Sequence, residues 1–346
     1  MKIFNGYMHG INLGGWFSQC DYSKERYDHF IKEEDLAQIK RWGLDHVRLP
    51  VDYNLVEEKD GTYIEEGFAR IEQVILWCKA HGLNMVLDLH KTFGYSFDDG
   101  EAESGFFENA AYQERFCRLW EEFARRFGKY ESLLAFELLN EVTDKEYADT
   151  WNDISDRCIR RIRAIAPTIT ILIGGYFNNS IEALKDLRPP QDEHIVYNFH
   201  CYEPLIFTHQ GAYWVNGMDT SFRMPYDSTY REYAEMAARE IDHYYSSFDG
   251  FAPDEPFGPA FFEQLIAEAV SVAEERDVAL YCGEFGVIDL ANAEDTAKWY
   301  RAICGVLDRY HIGRAAWTYK EMDFGFIDGH LGSSLEEVLF ALRGQK

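Results

Sequence analysis

Phe136-Glu-Leu-Leu-Asn140-Glu141 and Tyr281-Cys-Gly-Glu284-Phe-Gly286 each read as a short buried β-strand that ends on a carboxylate. Working outward from them, short apolar runs alternate with amphipathic helical patterns along the chain. The strand candidates lie at 10–14, 46–51, 84–90, 133–141, 168–175, 194–202, 279–287 and 314–320. Each is rich in branched or aromatic residues, as a strand covered on both faces should be. Between them, 65–81 repeats Phe68, Ile71, Val74, Ile75 and Cys78 on one face before Gly82 stops it. Comparable helices are predicted at 109–127, 144–166, 259–276 and 293–310. Alternating β and α elements imply a parallel sheet. Eight repeats favour a closed (β/α)8 TIM barrel in the α/β class over an open doubly wound sheet. No strand is followed by the G-x-G-x-x-G of a dinucleotide site.

A chain of 346 residues with 47% hydrophobic content suits one such barrel. The whole of 1–346 therefore reads as one catalytic domain, with one interruption. Between the sixth strand and the next core helix, 203–257 is far longer than a usual βα loop. It carries Phe207, His209, Tyr213, Trp214, Phe222, Tyr226, Tyr230, Tyr233, Tyr244 and Tyr245, and 230–245 looks helical. In a barrel this insertion overhangs the C-terminal face, as a lid or small subdomain, and Trp214 is its candidate for substrate contact.

A net charge of −26 disfavours nucleic acid and anionic membrane surfaces as partners. The seven cysteines form no C-x-x-C pair and several sit inside apolar patterns, which suits buried thiols in a reducing compartment. Residues 1–6 lack an apolar stretch of signal-peptide character, so a cytoplasmic monomer is expected.

The strand ends carry the chemistry. Arg48 closes the second strand, Asp88 and His90 the third, and Asn140 and Glu141 the fourth. His200 and Tyr202 close the sixth, Glu284 the seventh and Trp317 the eighth. Polar groups converging on one end of a barrel read as function, whereas residues inside strands read as stability. Two carboxylates on separate strands are what retaining glycoside hydrolysis needs. Glu137 competes with Glu141, but its mid-strand position marks a satisfied buried carboxylate below the site. Strict alternation would send Asn140 and Glu141 to opposite faces, so both line the site only if the strand bends or bulges.

Taken with Asn12-Leu-Gly-Gly-Trp16, His46-Val-Arg48-Leu-Pro50, Leu87-Asp-Leu-His90 and Tyr197-Asn-Phe-His200-Cys-Tyr202, these motifs resemble glycoside hydrolase family 5. Within that family the likeness is to the bacterial endoglucanase C group, and it covers all eight strand positions in order. The resemblance implies Glu141 as acid/base and Glu284 as nucleophile, with Asn140 on the sugar 2-hydroxyl. It implies that Arg48 and Tyr202 hold Glu284 ionised, that His200 tunes Glu141, that His90 binds hydroxyls and that Trp317 floors the site. Val142 stands where many relatives have Pro, and Lys91 where they often have a second His. The implied activity is endo-β-1,4-glucanase cleavage of cellulose-like or mixed-linkage β-glucan. The alternatives are a β-mannanase, an exo-β-1,3-glucanase or a non-catalytic carbohydrate-binding barrel. Two carboxylates and a water suffice for the reaction, so neither cofactor nor metal is expected. A metal-dependent barrel hydrolase would want an H-x-H pair on the first strand, which 10–14 lacks.

Overall fold

A computed structural model describes residues 1–98 and 103–344. Its strands are β1 (His9–Asn12), β2 (His46–Asp52), β3 (Asn84–Lys91), β4 (Leu134–Glu137), β5 (Thr170–Ile173), β6 (Ile195–His200), β7 (Ala279–Glu284) and β8 (Gly313–Ala316). They pair in parallel in sequence order, and β8 closes back onto β1. The fold is a TIM barrel. Helices Glu65–His81, Ala110–Phe127, Ala148–Arg163, Pro259–Arg276 and Ala293–Arg309 follow the expected apolar patterns. Gly82, at φ 63, ends the first in the left-handed conformation that glycine adopts without steric cost.

Several boundaries differ from the sequence reading. The fourth strand stops at Glu137 rather than 141, the fifth at Ile173, the seventh at Glu284 and the eighth at Ala316. Past these points the chain leaves the ladder to form the mouth of the barrel. The helix expected from 144 starts at Ala148, after a 3-10 turn at Lys145–Tyr147, and the one expected over 230–245 ends at Ile241. Helices Lys24–His29, Glu33–Arg41 and Leu335–Leu342 have no counterpart in that reading. The first two are short, with one apolar stripe residue per turn or fewer, so periodicity alone does not reveal them.

The barrel interior changes character along its axis. Its lower end is apolar: Val86, Ala135, Leu172, Val196, Ala279, Tyr281 and Ala315 cluster over a plug of Phe4 and Tyr7. Those two plug rings stack at 4.0 Å. Above that layer the interior is polar, with Asn12, Arg48, Asp88, Glu137 and Asn198 all buried.

Two irregularities in the upper layer aim side chains into the mouth. In the β6–β7 ladder Phe199 pairs with Cys282 but His200 pairs with Glu284, leaving Gly283 as an extra residue. This bulge reverses the alternation, so Glu284 faces the same mouth as His200. The second follows β4. Leu138 N donates to Leu172 O of β5, whereas Asn140 N donates to Leu89 O of β3. Two residues of equal parity turn to opposite neighbours, which is the bend that the sequence requires of this strand.

The connection from β6 to Pro259–Arg276 contains helices Leu205–Thr208 and Tyr230–Ile241. Its aromatics divide into two sets. Phe207, Tyr226, Tyr230 and Tyr233 pack inward with Phe248 and Phe257, with Tyr233 and Phe257 rings 4.7 Å apart. Tyr213, Trp214, Tyr244 and Tyr245 instead line the cleft over the mouth.

Gly283 tests the bulge. A Cβ there would stand 2.6 Å from Asn198 Oδ1, which is itself pinned by the Gly283 N–H at 2.9 Å. Gly283→Ala should lose about 1–3 kcal/mol in a urea titration and most of its activity, because Glu284 moves with the bulge. Unchanged stability and turnover would show that the bulge is not needed.

Candidate active site

Arg48 is the centre of the site, fully buried at the end of the barrel interior. All five of its N–H groups find acceptors. Nε and Nη2 donate to the two oxygens of Glu137, each at 2.7 Å. Nη1 donates to Asn12 Oδ1 at 2.9 Å and Glu284 Oε1 at 2.7 Å. Nη2 also donates to Asn140 Oδ1 at 2.7 Å and lies 3.0 Å from Asp88 Oδ2. Glu137 takes a further bond from Asn198 Nδ2 at 2.8 Å, so it is a satisfied carboxylate beneath the site. Burial pushes the Asp88 carboxyl up to about 7 against the pull of Arg48. Three acids around one guanidinium in a dry interior make this displacement expected.

Glu284 faces the mouth from above this layer. Besides Arg48, Tyr202 OH donates to its Oε2 at 3.0 Å. Glu141 lies opposite, with His200 Nδ1 2.7 Å from Oε1 and Asn178 Nδ2 donating to Oε2 at 2.6 Å. Tyr95 OH anchors its backbone carbonyl at 2.8 Å. One oxygen of Glu141, one of Glu284 and a ring nitrogen of His200 lie within 4.8 Å of one another. That closeness suits the short carboxyl separation of retaining glycosidases, roughly 5–5.5 Å, better than the roughly 6.5–9.5 Å of inverting ones.

Burial raises the pKa of Glu141, and donation from Asn178 and the charges of His90 and Arg48 only partly oppose it. Burial also lowers His200 to about 4 despite the neighbouring Glu284. Its imidazole is therefore neutral near pH 6, with the proton on Nδ1 facing Glu141 and Nε2 facing Asn179 Nδ2 at 3.5 Å. Glu141, His200 and Glu284 could each offer an atom to a metal ion. The Arg48 charge, 2.7 Å from Glu284, makes the position unfavourable for a second cation.

The remaining expected residues converge here too. His90 is stacked parallel to Trp317 at 5.8 Å, and its Nδ1 shares a hydrogen bond with Asp88 Oδ2, 2.7 Å away. Gly14 makes room for that indole, since a Cβ would meet Trp317 Cη2 at 2.6 Å. Trp317, His90 and the half-exposed Trp214 all line a cleft of about 1230 Å3 with Glu141, His200, Tyr202 and Glu284. Lys91 turns aside to Tyr22 OH at 2.7 Å, and Val142 is buried. Asn140 Nδ2 is buried with no acceptor among the described residues, beside the carboxylate pair.

The sequence reading misses the contribution of the fifth strand. After Gly174 and Gly175, residues Phe177, Asn178 and Asn179 all have positive φ, at 50, 56 and 56 degrees. This turn brings Asn178 to Glu141 and Asn179 to the Asn140 carbonyl and His200. The available signal is the Gly-Gly…Asn-Asn composition, which marks a turn with left-handed residues.

Comparison with known proteins accords with this geometry. The model of the cellulase family, glycosyl hydrolase family 5, matches residues 8–323. The chain belongs to glycosyl hydrolase family 5. It is similar to cellodextrinase A of Ruminococcus flavefaciens, 50% identical over 321 residues, which span 93% of this chain and 88% of that protein. Endoglucanase C of Acetivibrio thermocellus is 39% identical over 319 residues, 91% of this chain and 92% of the relative. Among solved structures, the cellulose synthase subunit Z of Clostridioides difficile superposes with a TM-score of 0.77 at 25% identity, covering 99% of each chain. Thermotoga maritima Cel5A, at 23% identity and a TM-score of 0.76, covers 96% of this chain and 97% of its own, and shares the fold. The family member described here is thus a glycoside hydrolase.

Two outcomes test the electrostatics. Arg48→Met should cost about 3–5 kcal/mol in denaturant, because it leaves buried carboxylates uncompensated; a loss under about 1 kcal/mol would contradict the hub. Nitrogen-15 NMR at pH 6 should show His200 as the neutral Nδ1–H tautomer, and an imidazolium signal there would overturn the assignment.

Proposed function

We propose that the enzyme hydrolyses β-1,4-glucan chains with retention of configuration, with Glu141 as acid/base and Glu284 as nucleophile. The observation that carries this reading is the close carboxylate pair with unequal surroundings. Glu284 is aimed by Arg48 and Tyr202, whereas Glu141 sits beside a neutral imidazole and is displaced toward the protonated form by burial. In the first step Glu141 gives its proton to the glycosidic oxygen as the C1–O bond breaks and Glu284 bonds to C1. In the second, Glu141 takes a proton from water, the water oxygen bonds to C1, and the bond to Glu284 breaks. Asn140 Nδ2, buried beside the pair with no acceptor among the described residues, could donate to the sugar 2-hydroxyl. Trp317 offers its ring as the floor under that sugar.

The cleft supports action within a chain. Its lining includes Phe97, His90 and Trp317, both carboxylates, and Phe177, Tyr213, Trp214 and Tyr244. The last four are exposed aromatics, apolar faces of the kind on which pyranose rings stack. The β6–β7 connection, 203–257, serves as the wall of the cleft on that side, and the chain as a whole acts as one catalytic barrel. The names of the relatives, cellodextrinase and endoglucanase, agree with β-1,4-glucan as substrate and span short and long chains. Internal cleavage is the reading favoured by the size of the cleft, about 1230 Å3, and its exposed aromatics.

Hydrolysis of soluble cellulose, mixed-linkage glucan, laminarin and mannan tests the substrate. Rapid viscosity loss on the two β-1,4-containing glucans is expected, and Glu284→Ala should reduce kcat by about 10^4-fold or more. Activity confined to mannan or laminarin would overturn the substrate, and activity surviving in Glu284→Ala would overturn the nucleophile. Trp214→Ala should raise KM for the polymer with little change in kcat.

A further inference from the structure

The acid/base carboxylate has two oxygens in unlike situations. Oε1 faces His200, whose ring is buried and engaged at both nitrogens, which holds it in that place. Oε2 is held by Asn178, a residue exposed on the wall of the cleft. A proton donor already fixed on Oε1 leaves Oε2 as the oxygen that must carry the catalytic proton. Asn178 therefore stands where the glycosidic oxygen, and later the attacking water, must arrive.

Its placement is specific to an unusual piece of backbone. Phe177, Asn178 and Asn179 are successive left-handed residues, a conformation that asparagine tolerates and phenylalanine does not favour. The turn is tied to the segment just after Glu141, because Phe177 N donates to Thr143 O and Asn178 N to Val142 O. Gly174 and Gly175 allow it, since a Cβ on either would run into Asn179 or Ala183. Strain at such a site, held by contacts to the acid/base strand, points to function.

We propose that Asn178 is a positioning residue for Glu141, its side-chain amide holding Oε2 in the free enzyme and yielding that oxygen to the glycosidic oxygen or the water. The inference rests on the reading of Glu141 as acid/base and adds a device to it. With the amide in place the carboxylate form is favoured, which suits the base. When the leaving-group oxygen displaces the amide, the same carboxyl loses a donor and holds its proton, which suits the acid. The proton passes from Oε2 to the glycosidic oxygen as C1–O breaks and C1 bonds to Glu284. It is replaced from water as water bonds to C1 and the Glu284 ester breaks. The other groups facing Glu141 are Arg48 from β2, Asp88 and His90 from β3, Tyr95 from the following loop, His200 and Tyr202 from β6 and its end, and Glu284 from β7. None of them belongs to the turn at 177–179.

The test is the pH profile of kcat/KM on a β-1,4-glucotetraose for Asn178→Gly and Asn178→Asp. Glycine keeps the left-handed backbone and removes the amide; aspartate keeps the size and replaces the donor by a carboxylate. Removing a donor from an ionised group raises its pKa, so the alkaline limb should move up by about one pH unit in the glycine variant. It should move further in the aspartate variant, and the acidic limb should stay in place. An alkaline limb unmoved in both variants, or moved down in the aspartate variant, overturns the proposal. Glu141→Ala is run alongside on 2,4-dinitrophenyl β-cellobioside with azide. Azide-dependent turnover to a β-cellobiosyl azide supports Glu141 as acid/base independently. Without that azide dependence the acid/base reading falls, and this inference falls with it.

Discussion

The site depends on the burial of one guanidinium. Arg48 spends its five N–H groups on Glu137, Asn12, Glu284 and Asn140, and its charge faces Asp88 as well. Those partners come from β1, β3, β4, β7 and the end of β4, so a single residue sets the distances across the upper barrel. Taking an arginine and several carboxylates out of water is expensive unless each hydrogen-bonding group is met. Here the donors are all met, and the burial that remains unbalanced appears as raised carboxyl pKa values at Asp88, Glu137 and Glu141. An acid whose environment resists ionisation is what protonation of a glycosidic oxygen requires.

Three departures from regular backbone bring the working groups to this hub. The bulge at Gly283 turns Glu284 inward, the bend after Glu137 admits both Asn140 and Glu141, and the left-handed turn at 177–179 closes over the acid/base. Left-handed non-glycine residues cost about 1–3 kcal/mol each. Backbone bonds from that turn to Val142 and Thr143, and side-chain bonds to Glu141 and Asn140, offset it. Regular strands supply the frame, and irregular ones supply the aim.

This division explains what the sequence makes legible. The barrel follows from eight apolar runs because strands covered on both faces leave that mark, and the convergence of Arg48, His90, Glu141, His200, Glu284 and Trp317 follows from their places at strand ends. Glu137 and Glu141 could be told apart by position alone. The exact ends of β4 and β7 could not, since a bulge is a property of pairing between strands and not of either strand by itself. The bend at Asn140 is required by the alternation argument, yet the same argument applied to Tyr281, Gly283 and Glu284 reveals the need for the second bulge only once the ladder is seen. Asn178 escapes because its partner is distant in sequence and its backbone conformation is set by tertiary contacts. The aromatics of 203–257 look alike in sequence, and only packing separates Tyr230 and Tyr233, which are core, from Trp214 and Tyr244, which face the cleft.

Trapping the covalent intermediate tests the account most directly. The enzyme would be incubated with 2-deoxy-2-fluoro-β-cellobiosyl fluoride, digested, and the labelled peptide sequenced by mass spectrometry. The geometry around Arg48 predicts one cellobiosyl adduct, carried by Glu284. A label on Glu137 or Glu141 instead would contradict the assignment of the nucleophile. Turnover with inversion and no adduct would contradict the retaining mechanism itself.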